Sequence, residues 1–119
     1  MARLLFVLTH STEAPERAWA GVSAAAAAAR HGHEVALWLP DEGVRLGVKG
    51  VAEAIASPPR RGLLESLELL VEGGATLHCP RSCFERRSFE VGALRPGARL
   101  AAPHELADLL ADGWIAVPT

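Results

Sequence analysis

The chain has 119 residues, half of them apolar, which is enough for one packed core and too few for two. Its formal charge of −2 comes without any Lys/Arg-rich block, which argues against nucleic acid as a direct ligand. Every apolar run breaks well before the roughly 18 residues that cross a bilayer, so no membrane span is expected.

Arg61, Arg86, Arg87, Arg95 and Arg99 make the second half locally more basic, which reads as a solvated face. Eleven Arg stand against one Lys, and Asn, Gln and Tyr are absent, a bias that fits a GC-rich genome and a hot habitat where amides are labile. After Met1-Ala2-Arg3, the run Leu4-Leu5-Phe6-Val7-Leu8 is too short for a secretory signal and lacks a small-residue cleavage site. The expected location is therefore the cytoplasm.

Leu4 to Thr9 predicts a strand buried on both faces, opening at its carboxyl end into polar His10-Ser11-Thr12. Ser11 or Thr12 is placed to cap a helix with Glu13, Pro15 and Glu16 in its first turn, continuing through Trp19, Val22 and six consecutive alanines to Arg30-His31-Gly32. His33 to Leu39 is a second strand, stopped by the loop Pro40-Asp41-Glu42-Gly43. Val44 to Ala56 has mixed patterning and ends at the break Ser57-Pro58-Pro59. Leu63, Leu64, Leu67, Leu70 and Val71 recur at helical spacing, and Gly73-Gly74 closes that helix before a third strand, Ala75 to His78, ending at Cys79. A short helix from Pro80 to about Arg87, a strand near Arg99 to Ala101, a helix from His104 to Ala111 and a last strand, Trp114 to Val117, complete the chain. Strands alternating with helices predict a mainly parallel five-stranded sheet in a three-layer α/β/α sandwich, with chemistry outside the strand carboxyl ends.

Three loops fall on that edge: His10-Ser11-Thr12, Asp41-Glu42-Gly43 and Cys79-Pro80-Arg81. With Pro80 as the first helical residue, Cys79 becomes the N-cap, and its thiol is expected to ionise more easily there, near Arg81. Cys83 lies one turn on and is expected to pack under the helix; its spacing from Cys79 is too wide for a relaxed disulfide, so both thiols should be free. His78 should face away from the Cys79 sulfur, leaving His10 as the better acid or base nearby. Two cysteines and scattered histidines lack a standard zinc spacing, and neither a dinucleotide fingerprint nor a phosphate-binding loop occurs, so no metal and no cofactor are expected.

The chain resembles the DsrE/DsrF-like proteins, which include subunits of bacterial sulfur relays. The resemblance rests on the first strand with its short polar loop, Arg30-His31-Gly32-His33-Glu34-Val35 after the Ala-rich helix, and Asp41-Glu42-Gly43-Val44. It continues through Leu69-Leu70-Val71-Glu72-Gly73-Gly74-Ala75, the cysteine after the third strand, Pro96-Gly97 and Glu105-Leu106-Ala107. It implies that Cys79 carries sulfane sulfur as a persulfide, taken from a donor protein and passed to an acceptor protein. Cys83 has no counterpart in that pattern. The resemblance further implies homo- or hetero-oligomers, often trimers or hexamers, with the cysteine loop near subunit contacts; for this chain a homo-oligomer is expected. Two readings stay open: a persulfide carrier with Cys79 as its nucleophile, supported by Cys83, His10, Arg81, Ser11, Thr12 and Asp41, or a non-enzymatic oligomeric binding module whose thiols are inert.

Overall fold

The computed structural model describes residues 1–55 and 62–119; the Ser57-Pro58-Pro59 break and Arg61 lie outside the described residues. Five strands form one sheet: β1 (Arg3–Val7), β2 (Glu34–Trp38), β3 (Leu77–Pro80), β4 (Ala98–Ala101) and β5 (Ile115–Pro118), in the order β4-β3-β2-β1-β5. Every neighbouring pair is parallel, with Leu5 opposite Ala36, Trp38 opposite His78, and Cys79 opposite Leu100. The helices are α1 (Pro15–Arg30), α2 (Val51–Ile55), α3 (Gly62–Glu72), α4 (Arg81–Arg86) and α5 (Pro103–Ala111).

Strand alternation divides the interior in two. Phe6 and Leu8, Val35, Leu37 and Leu39, and Leu77 and Cys79 share one core with α1 and α3. Leu5, Ala36, Trp38 and Ala101 point the other way, under Leu106 and Leu109 of α5. The unequal thickness of these layers follows from the order of the strands. From β1 to β4 the chain steps across the sheet in one direction, and right-handed crossovers put every intervening helix on the same face. Only the return from β4 to β5 runs the opposite way, so among the described residues α5 alone covers the second face. Among the described residues no helix is long and apolar enough to cross a membrane.

The Ala-rich stretch forms α1 because alanine costs no side-chain entropy, and buried Ala18, Ala25 and Ala26 let the helix lie close to the sheet. Its start differs from the sequence reading: Ala14 is the N-cap, with no side-chain cap, and Ser11 and Thr12 stay in the preceding loop. Pro15, with no N–H to satisfy and φ already near the helical value, takes the first helical position, while the Ala14 N–H turns back to the Ser11 carbonyl at 3.2 Å.

Asp41-Glu42-Gly43, read as a loop, opens a 3-10 helix that runs to Gly47, with Gly43, Val44, Leu46 and Gly47 buried. Gly43 is required by a close approach: a Cβ there would collide with the backbone carbonyl of Leu8.

Candidate functional site at the strand carboxyl ends

The largest departure from the sequence reading is at Cys79. β3 runs through Pro80, which pairs with Ala101 of β4, and Pro80 itself, at φ −54° and ψ 126°, is the N-cap of α4. A proline φ serves extended and helical backbone equally, so pairing with β4 decides the matter and moves the helix start to Arg81. Cys79 is thus a strand residue whose side chain enters the α1/α3 core at 0% exposure. Its thiol lies against Gly47, where a Cβ would strike Sγ, and its nearest acceptor is the Leu77 carbonyl at 3.8 Å. Burial pushes the Cys79 thiol up to about 12, opposite to the lowering expected of an N-cap.

Cys83, expected to pack under the helix, does pack against the same core but keeps part of its surface exposed. Both cysteines are free, as their spacing implied. The backbone N–H of Asp41 donates to Cys83 Sγ at 3.4 Å. Asp41 adopts φ 52°, a left-handed conformation that Asp tolerates better than most residues, at the point where the chain leaves β2 and enters the 3-10 helix.

Around this thiol stands a charge cluster that sequence reasoning missed. Glu42 accepts from Arg45 Nε at 2.8 Å through one oxygen and from Arg87 Nε at 2.8 Å and Nη2 at 2.5 Å through the other. Arg87 Nη1 also donates to the Cys83 carbonyl at 3.0 Å, tying α4 to the 3-10 helix. The hydrogen bonds from Arg87 and Arg45 hold the Glu42 carboxyl below the usual carboxylate range. The signal for this cluster was present in the sequence: acidic residues just after β2 and basic residues just after the cysteine helix, on one edge of a parallel sheet.

The remaining expected residues divide. His10 pairs with Glu13 at 2.9 Å, and Glu13 Oε1 also accepts the Ser11 N–H at 2.5 Å. Burial pushes the Glu13 carboxyl up, but Ser11 and His10 outweigh it and leave it below the ordinary range, with Glu42 close enough to oppose them. Among the described residues His10 bonds to neither sulfur. Ser11 is fully buried with no hydrogen-bond partner for its hydroxyl among the described residues, and Thr12 is exposed. Arg81 is exposed and lines a separate apolar cleft of about 430 Å³ with Trp38, Pro40, Pro80, Pro103 and Leu106.

His78 points to the α5 face as expected, 5.8 Å from the Trp38 ring. Desolvation, with Arg99 beside it at 3.3 Å, holds its pKa below the usual histidine value. Among the described residues no three His, Cys, Asp or Glu side chains converge as a metal-ligand set. The cluster can therefore present one accessible thiol beside fixed N–H donors and a neutralised carboxylate.

The comparisons agree with this architecture. The crystal structure of the YchN protein from Escherichia coli superposes with a TM-score of 0.78 at 18% identity, over 98% of this chain and 100% of that one. The MTH1491 protein from Methanobacterium thermoautotrophicum, described as of unknown function, gives a TM-score of 0.74 at 10% identity over 100% of both chains. At such identities the likeness is one of fold. No curated protein matches the chain. The model of the DsrE/DsrF-like family matches residues 2–117, nearly the full length and all five strands, and the chain belongs to that family.

Proposed function

We propose that this protein is a sulfur-relay component that carries sulfane sulfur as a cysteine persulfide and hands it to a partner protein, with Cys83 as the thiol that accepts it in the fold as it stands. Family membership supports the relay role. The observation that carries the choice of thiol is the contrast in access: Cys79 is sealed at 0% exposure beneath Gly47, whereas Cys83 is partly exposed and receives the Asp41 N–H. In the transfer, the Cys83 thiolate attacks the terminal sulfur of a donor persulfide. A new S–S bond forms at Cys83, the donor S–S bond breaks, and the donor leaves as a thiolate, so no external oxidant or reductant is needed. The reverse reaction with an acceptor thiolate passes the sulfur on. Free thiols and this chemistry suit a reducing compartment, and the cytoplasm is the proposed location.

The resemblance of the chain to relay members supports a second assignment, with Cys79 as the carrier. That assignment requires the 3-10 helix over its sulfur to move, because a buried neutral thiol is a poor nucleophile. Incubation with a small persulfide donor followed by mass spectrometry separates the two. A gain of about 32 Da in wild type and Cys79→Ser but not in Cys83→Ser is expected. Loss of the gain in Cys79→Ser alone returns the cargo to Cys79, and no gain in wild type removes the persulfide reading.

A further inference from the structure

A second concave site lies along α3, beside the segment that leads into β4, independent of which thiol carries sulfur. It is a cleft of about 400 Å³ with an apolar floor of Leu64, Leu67, Val71 and Pro96. Its wall is unusually close-built: Gly97, at φ 88°, lets the chain pass directly against the Val71 side chain, where a Cβ would stand 2.7 Å from a methyl carbon. Arg95 also lines it, with a side chain only 10% exposed. Arg95 Nη2 pairs with Glu53 Oε1 at 2.9 Å, but among the described residues Nη1 is buried with no hydrogen-bond partner. An unmet buried donor of this kind costs about 1–3 kcal/mol, more when charged, and an entering acceptor recovers that loss.

The rim points to the kind of acceptor. Glu68 and Glu72 stand one helical turn apart on α3, both exposed and neither with an ion-pair partner among the described residues. Glu53 is already matched by Arg95, so Glu68 and Glu72 leave the rim net negative, and a carboxylate or phosphate is disfavoured as the partner of Arg95. A neutral carbonyl on a chain that also carries positive charge is not. We propose that this cleft is the docking site for a peptide segment of a partner protein in which an apolar side chain is flanked by Lys or Arg. The apolar side chain fills the floor, the basic side chains meet Glu68 and Glu72, and a main-chain carbonyl turns toward Arg95 Nη1.

The test uses the full chain and an N-acetylated, C-amidated peptide alternating leucine and arginine, titrated while backbone amide shifts are followed by NMR. Shifts centred on Leu64, Val71, Glu72 and Arg95 are expected, with binding weakened about tenfold or more by Glu68→Gln combined with Glu72→Gln. Both substitutions are on the exposed face and relieve a like-charge pair, so the fold is retained. The control pair Glu85→Gln and Glu90→Gln, exposed but outside the cleft, is expected to leave affinity unchanged. Equal binding of a peptide with glutamate in place of arginine, or equal loss from the control pair, overturns the proposal. Cleft shifts that follow protein concentration instead of peptide assign the site to a second copy of the chain and overturn it as well.

Discussion

Cys79 and Cys83 lie four positions apart, yet the sheet puts one sulfur in a core and leaves the other at the edge. The difference has a consequence for pH dependence. A thiol raised from 9.0 to about 12 stays protonated when folded and ionises earlier when unfolded. Its contribution to stability is therefore whole below pH 9 and is lost as pH climbs toward 12. Urea unfolding between those limits is expected to show a steeper loss for wild type than for Cys79→Ala, since other titrating groups are common to both. Parallel curves would mean that the thiol is not sealed in the folded state. Alkylation of native protein is likewise expected to reach Cys83 first, the reverse of what an N-cap at Cys79 implies.

At the level of elements, the 3-10 helix Asp41–Gly47 decides what the carboxyl edge can do, because it covers Cys79 with Gly47 and donates to Cys83 from Asp41. Its fit depends on two glycines meeting different neighbours. At Gly43 an added Cβ meets the Leu8 backbone, which cannot yield locally; at Gly47 it meets a sulfur. Both Gly43→Ala and Gly47→Ala are expected to destabilise by about 1–3 kcal/mol, with Gly43→Ala at the upper end or beyond. Removing the sulfur in Gly47→Ala with Cys79→Ala is expected to recover part of the loss, giving a favourable coupling in a double-mutant cycle. Strict additivity would show that Gly47 does not rest on that thiol. The Glu42 bridge to Arg45 and Arg87 contributes less, since such half-exposed pairs are worth about 0–1 kcal/mol each; its effect is to hold α4 and the 3-10 helix in one relation.

For the whole molecule, the direction of the crossovers leaves the second sheet face, among the described residues, under α5 alone, flanked by clefts. Leu110 at 42% and Ile115 at 55% exposure lie on this last helix and on the edge strand that follows it. A thin layer with exposed large apolar side chains favours self-association, and a homo-oligomer, as a trimer or hexamer, is the proposed state. Light scattering at micromolar concentration is expected to give a mass several-fold above 12.6 kDa, and a monomer throughout would count against it.

The strand positions and the edge that gathers the chemistry were legible in the sequence because they rest on local periodicity: Leu4 to Thr9, His33 to Leu39 and Ala75 to His78 each carry the pattern of a buried parallel strand. The alternation of His78 and Cys79 followed from the same rule. What only the tertiary structure decided is where β3 stops, which depends on Pro80 pairing with a strand about twenty residues away in a register no local signal encodes. From that register follow the burial of Cys79, the exposure of Cys83 and the approach of Arg87 to Glu42 across 45 positions. Whether a thiol ionises depends on the atoms packed around it. For Cys79 those atoms include Gly47, on an element that sequence distance did not connect to a reactive centre.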